Sequence, residues 1–212
     1  MHEDYIRWFF NENGLKRDEA PPTAMQARFH IKLLLGKGQL EDVMDVSVFN
    51  KLPDREEVLQ AERNEIESAT SSGEIIRFMR RGADIMNQNI LVNRALDFEE
   101  EIIPEIIKML KTSLNELFIE LSTRALAICS MDISKELSEL YEEARSPFTK
   151  SMVLVVLGFK GEEGQIPWLV KKFKEMKKSF PETDYCYGAY SALLEMESRF
   201  YSAEKKFEQL PV

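Results

Sequence analysis

An apolar run is followed by three glycines, Gly158, Gly161 and Gly164. This arrangement suggests a phosphate-binding turn. A strand, a tight turn and a helix bind a dinucleotide when the glycines are spaced G-x-G-x-x-G, but here the spacing is G-x-x-G-x-x-G. Glu162 and Glu163 would also repel a pyrophosphate. We therefore expect a buried helix followed by a glycine-containing turn, and no cofactor.

The residues for nucleophilic or metal chemistry are few. The sequence has two histidines, His2 and His30, and two cysteines, Cys129 and Cys186. Their spacings match neither a Ser-His-Asp or Cys-His site nor a zinc ligand set. The neighbours of Cys129 are apolar, which predicts a buried thiol. We expect no catalytic residue and no metal site.

Carboxylates occur in runs at 99–101, 142–143 and 162–163. Paired carboxylates can act as general acid and base or hold a metal ion. Adjacent residues on a helix point in different directions, however, and the Glu-x-x-His pattern of di-iron bundles is absent. These runs are typical of a solvated helix face.

The formal net charge of −9 argues against nucleic-acid binding, which gains affinity by neutralising phosphates. Residues 160–178 differ from this negative net charge, because they contain six lysines and three glutamates. Within this stretch, Lys171, Lys174 and Lys178 recur at i, i+3 and i+7, opposite an apolar stripe. We name these three residues the lysine face, and they form one candidate surface for a protein partner.

The elements that would position these residues are helices. In the first part of the chain the periodicity predicts helices at about 2–13, 22–36, 39–50 and 54–72. From residue 73 onward the helices come in pairs. The predicted pairs are 74–81 with 84–100, 102–113 with 115–131, 133–145 with 147–160, and 163–179 with 182–201.

Apolar residues inside these helices recur at i, i+3, i+4 and i+7, the mark of one buried face. Ile103, Ile106, Ile107, Leu110 and Leu114 form one such stripe. The equivalent stripe in the last pair is Ile166, Leu169, Val170, Phe173 and either Met176 or Lys177.

Short sequences also recur. Residues 103–108 read I-P-E-I-I-K and residues 166–171 read I-P-W-L-V-K, so both place a proline in the predicted first turn. The triplet R-A-L at 94–96 returns at 124–126, and residues 152–158 read M-V-L-V-V-L-G. This pattern is similar to the HEAT repeats, in which a first helix of the type I-P-x-L is followed by a small and aliphatic second helix ending near L-G.

The resemblance covers about residues 73–202 and implies an all-α fold, a right-handed stack of antiparallel helical hairpins. Residues 1–72 would be an N-terminal helical extension and residues 73–212 the repeat region, unless 1–212 is one continuous domain. Residues 1–72 would then cover the first hydrophobic face of the stack.

HEAT-like proteins bind partners on the concave side, which the second helices of the pairs line. The resemblance therefore implies a non-enzymatic scaffold that binds a protein partner there. The polar positions expected to contact that partner are Asn87, Gln88, Asn93, Arg94, Glu120, Arg124, Tyr185 and Tyr187.

Two alternatives remain open at this point. A HEAT-like DNA glycosylase would need a basic groove, to which Arg94, Arg124, Trp168 and Lys171 could contribute. A dimeric regulatory protein would use the apolar cluster at residues 8–10, Trp-Phe-Phe.

The compartment expected is the cytoplasm. Two cysteines are too few for a disulfide framework, and the longest apolar run has six residues, too short to span a membrane.

Overall fold

The computed structural model describes residues 23–37 and 55–201. Within those ranges it contains ten α-helices, one 3-10 turn and no strand, so the all-α prediction is confirmed. The helices are α1 (Thr23–Leu34), α2 (Arg55–Glu67), α3 (Ser72–Arg81), α4 (Ile85–Leu96), α5 (Glu99–Leu110), α6 (Glu116–Ile128), α7 (Ser134–Glu143), α8 (Pro147–Lys160), α9 (Ile166–Ser179) and α10 (Tyr187–Tyr201). The helices predicted at 2–13 and 39–50 lie outside the described residues.

From α3 onward the helices pack in two layers. The inner layer consists of α4, α6, α8 and α10, each packed on the next. The outer layer consists of α3, α5, α7 and α9, each packed against an inner helix. Helix α2 lies beside α4, whereas α1 crosses the sequence gap and packs against α6, α8 and α10. The first described helix therefore lies on the inner layer.

Side-chain caps explain where several helices begin. Ser71, Asn115 and Ser146 each accept a hydrogen bond from the backbone N–H three residues later, which satisfies a donor at the start of α3, α6 and α8. Pro147 follows Ser146 as the first residue of α8, a position where its missing N–H costs nothing.

One predicted boundary is wrong. The sequence predicts a helix to residue 100 and a new one from 102, but α4 ends at Leu96 and α5 begins at Glu99. Glu99, Glu100 and Glu101 thus form the first turn of α5, where carboxylates favour the positive end of the helix dipole. Pro104 consequently lies beyond that turn, inside the helix.

Two other starts also differ from prediction. The segment predicted as a helix from 163 opens with a 3-10 turn, Glu163–Gln165, and α9 begins at Ile166 with Pro167 in its first turn. The helix predicted from 182 begins only at Tyr187.

A single apolar cluster extends from Ala24 to Met196 and joins α1 to both layers. The stripe predicted for α9 is fully confirmed, since Ile166, Leu169, Val170, Phe173 and Met176 are all buried. In the stripe predicted for α5, Ile103, Ile106 and Leu110 are buried and Ile107 is partly buried. Leu114 lies beyond the helix and is 79% exposed.

Glycines bring α8 and α10 together backbone to backbone. A Cβ on Gly188 would lie 2.2 Å from the carbonyl oxygen of Ser151, and one on Gly158 would lie 2.7 Å from Cα of Ala192. Arg199 also donates to the Gly158 carbonyl at 2.6 Å. This close contact fixes the surface that α8 and α10 present to α1.

Candidate binding face on the inner layer

The buried polar side chains of the described chain are confined to α1 and the inner layer. None of them lies on an outer-layer helix. They are Arg28 and His30 on α1, Asn87 and Gln88 on α4, Ser122, Thr123 and Arg124 on α6, Thr149 and Ser151 on α8, and Ser191 and Glu195 on α10. The contact between α1 and the inner layer combines apolar and polar groups, as in a binding interface.

Three contacts hold α1 along α10 and the segment just before it. The backbone N–H of Thr23 donates to the carboxylate of Asp184 at 2.9 Å, at the start of α1. The Ser191 hydroxyl donates to the sulfur of Met25 at 3.1 Å. The partners advance together along the sequence, so α1 runs in the same direction as α10.

The third contact is an ion pair in the centre of the interface. Nη2 of Arg28 lies 3.1 Å from Oε2 of Glu195, and the two side chains are 11% and 4% exposed. Asp184, Ser191 and Glu195 therefore contact three different features of α1: its amino terminus, a thioether and a cation.

Small side chains let α1 approach closely. Ala24 and Ala27 are buried against the inner layer, together with Ile31. The spacing of the two alanines places them about one turn apart on the same face of the helix. A larger side chain at either position would push α1 outward and lengthen the ion pair.

A second polar group surrounds Arg124 on α6. Its guanidinium donates to the Gln88 side-chain oxygen at 2.8 Å and lies 3.7 Å from the Glu120 carboxylate. Burial lowers the pKa of Arg124 to about 10, an effect that the Glu120 charge opposes. Burial also raises the pKa of Glu120, which the Arg124 charge opposes.

His30 lies on the α1 side of this group. Burial lowers its pKa from 6.5 to about 4, and the positive charge of Arg124 contributes in the same direction. The imidazole is therefore neutral at physiological pH, and protonating it would place a second cation near Arg124.

The polar groups of this interface are incompletely hydrogen-bonded. Within the described ranges, Nε of Arg28 is buried without a hydrogen-bond partner, whereas its Nη2 lies 3.1 Å from Oε2 of Glu195. Oγ of Ser122 on α6 and Oγ1 of Thr149 on α8 are also buried without a partner. Unmade hydrogen bonds of buried groups cost free energy, so they weaken the packing of α1 on this face.

The residues predicted to contact a partner fall into two groups. Asn87 and Arg124 are fully buried and Gln88 nearly so. The Asn87 amide donates to the carbonyl of Leu59 and to the carboxylate of Glu62, so it joins α4 to α2. In this conformation these side chains hold helices together and are not available to a partner.

The others lie nearer the surface. Asn93 is exposed, and Glu120 is half-buried beside Arg124. Arg94 donates to the Ala69 carbonyl at 2.6 Å and pairs with the carboxylate of Asp97. Tyr185 and Tyr187 are half-buried against other aromatic rings at 5.7 Å. Of these side chains, Glu120 contacts Arg124, whereas Arg94, Tyr185 and Tyr187 contact other residues.

The lysine face lies on the outer layer. Lys171, Lys174 and Lys178 are exposed on α9, and Lys171 pairs with Glu175 at 3.7 Å. This surface belongs to the layer opposite α1, so it is separate from the inner-layer face.

Sequence patterns alone did not single out Arg28, Glu195 or Asp184. A signal for the first was present, because Arg28 interrupts an otherwise apolar stripe between Ala24, Met25, Ala27 and Ile31. A charged residue on the buried side of a short helix indicates a partner charge in the surface that the helix covers. No such signal identifies which carboxylate that is.

The described part of the chain contains neither a metal-binding cluster nor a membrane-spanning helix. Its His, Cys, Asp and Glu residues form no group of three or more that could hold a metal ion. None of the helices within 23–37 and 55–201 is long and apolar enough to cross a membrane. Both thiols, Cys129 and Cys186, are free and buried.

Comparisons of this chain with known protein families, curated proteins and solved structures find no match.

Proposed function

We propose that this chain is a non-enzymatic protein-interaction module, a HEAT-like stack of helical hairpins whose inner layer binds a helix presented by a partner protein. The observation that carries the proposal is the confinement of buried polar side chains to α1 and the inner layer. A helix that only completes a core would need no such groups, because apolar side chains of the same size pack equally well there.

The packing of α1 on the inner layer is an example, within the chain itself, of how a helix can bind there. Helix α1 lies in a surface formed by α6, α8 and α10 and is held by an apolar stripe and a central ion pair. Recognition of an amphipathic helix in a groove uses the same combination of anchors one turn apart and a charge that sets register. The inner layer is therefore suited to helix binding.

The contacts of the residues proposed for a DNA glycosylase do not favour that alternative. Arg94 and Arg124 are engaged with Ala69, Asp97, Gln88 and Glu120. Trp168 and Lys171 lie on α9, in the other layer. The four positions proposed for a basic groove thus do not share a surface. The dimer alternative depends on residues 8–10, which lie outside the described ranges.

A tagged pull-down of the full chain, with and without nuclease, tests the proposed function. We expect a discrete protein partner that survives nuclease and is lost in a Glu195→Arg variant, because the groove then carries the wrong charge. The matched control is Glu139→Arg, at an exposed position on the outer helix α7. Partners lost on nuclease treatment, or retained equally by Glu195→Arg, would contradict the proposal.

A further inference from the structure

We infer that the groove on α6, α8 and α10 selects a partner helix with the residue pattern of α1, and that α1 is its exchangeable internal occupant. This inference rests on the proposed function and names the partner for it. The pattern has small residues at the places of Ala24 and Ala27, an apolar residue at that of Met25, and a basic residue at that of Arg28.

The groove defines this pattern through groups on and just before α10. Asp184 accepts from a helix amino terminus, which sets where the partner helix must begin. Glu195 lies further along, at the level of the fifth residue after that start, and requires a cation there. Because these two groups lie at different levels, they fix both the direction and the register of the bound helix.

The small residues add a steric condition. Ala24 and Ala27 are almost completely buried, at 1% and 4% exposure, so the groove leaves little room beyond a methyl group at either place. A helix with Leu or Phe there could not bring its cation to Glu195. The partner chemistry is therefore narrower than a general amphipathic helix.

Several observations indicate that α1 can leave. It has 12 residues, and isolated helices of that length are marginal in water, so α1 depends on the groove for its stability. The polar contact of α1 with the groove is incompletely hydrogen-bonded, because Nε of Arg28 is buried without a partner. A buried ion pair contributes less net stability than an apolar pair of equal size.

An internal occupant competes at a high effective concentration, on the order of millimolar for a flexible connection. A free helix of the same sequence therefore binds the wild-type chain weakly. A chain whose own α1 is repelled by the groove should bind it much better. This difference gives a direct test on the full chain.

The test uses a fluorescently labelled peptide of residues 23–36, its Arg28→Glu counterpart, and three full-length chains: wild type, Arg28→Glu and Glu195→Arg. Fluorescence anisotropy measures each pairing. We expect the native peptide to bind the Arg28→Glu chain at least tenfold more tightly than wild type. On the Glu195→Arg chain the preference should reverse, so that the Arg28→Glu peptide binds more tightly than the native one.

Equal binding of both peptides to all three chains, or no binding to any, would overturn the inference. Should a charge variant fail to fold, hydrogen exchange on the wild-type chain decides. Exchangeable occupancy requires the amides of Ala27–Leu34 to exchange at least tenfold faster than those in the middle of α8 and α10. Exchange of α1 only together with those helices would make it a permanent part of the core and would refute the inference.

The two proposals fail separately. Peptide binding with the expected charge preference, without any captured partner, would support the groove assignment and count against the scaffold function. A partner captured through Glu195, without peptide exchange, would support the scaffold function and refute α1 as its internal competitor. Exchange of α1 between two copies, seen as a dimer of the wild-type chain at high concentration, would support an exchangeable occupant.

Discussion

Arg28 and Glu195 form a buried ion pair between the first and the last described helix, with Nη2 and Oε2 3.1 Å apart. The pair joins α1 to α10 across nearly the whole sequence. Removal of one partner would leave the other charge buried and uncompensated, which costs more than the pair contributes.

An Arg28→Ala substitution should therefore lower the free energy of unfolding by about 3 kcal/mol. The double variant Arg28→Met, Glu195→Leu should return to within about 1 kcal/mol of wild type, because two apolar side chains avoid desolvating charge. Urea unfolding measures both. The exposed pair Lys135–Glu139, 3.9 Å apart, is the control, and its removal should cost under about 1 kcal/mol. A double variant with a lower free energy of unfolding than Arg28→Ala would show that the charges themselves stabilise the fold.

Acid should weaken the α1 interface through His30. The pKa of its imidazole is about 4 in the folded chain, against an ordinary value of 6.5, so the unfolded chain binds this proton first as the pH falls. The contribution of neutral His30 is complete above pH 6.5 and is lost as the pH falls toward 4. The unfolding free energy of wild type, relative to a His30→Gln variant, should fall by about 2 kcal/mol between about pH 7.5 and 4.5. A difference that stays constant over this range would contradict the burial of a neutral imidazole.

The contact of α8 with α10 should not tolerate a methyl group at Gly188. A Cβ there would lie 2.2 Å from a backbone oxygen of Ser151, and backbone atoms cannot rotate away. We expect Gly188→Ala to destabilise the chain by about 1–3 kcal/mol in thermal or urea unfolding. Gly73→Ala is a matched control, because Gly73 is also the second residue of its helix and has open space around it. Equal effects of the two substitutions would argue against the close approach of α8 and α10.

Both thiols should react slowly in the native chain. Burial raises the pKa of Cys129, against an opposing effect of Lys160, and burial also raises the pKa of Cys186. Less thiolate and less access both slow reaction with a disulfide reagent. We expect labelling at about pH 8 to be at least roughly tenfold slower than in urea-unfolded chain, followed by absorbance. Rapid labelling of one thiol, assigned with Cys129→Ser and Cys186→Ser variants, would place that cysteine in a mobile region.

Much of the secondary structure could be predicted from the sequence, because the information is local. The stripe of α9 from Ile166 to Met176 follows helical periodicity, and Ser146 with Pro147 marks the start of α8. Boundaries between closely spaced helices were less predictable. The end of α4 and start of α5 depend on a competition between continued helix and the dipole-favoured turn at Glu99–Glu101, which periodicity does not resolve.

The candidate face illustrates the limit of local information. Asn87 and Arg124 have polar side chains on the second helices of their pairs, so the sequence predicts that they face a partner. In the structure another helix of the same chain covers or contacts them, and both are buried. Their residue types indicate polar contacts, but not that those contacts are made within the same chain.

The sequence alone determined that the described part of the chain is helical and which side of α9 is buried. Only the tertiary structure decided that α1 lies on the inner layer and that Arg28 meets Glu195. Periodicity records that a face is buried, because every helix must hide its apolar stripe from water. It does not record which surface covers that face, because the hydrophobic effect is non-directional and the pairing depends on the shape and charge of residues far apart in the chain.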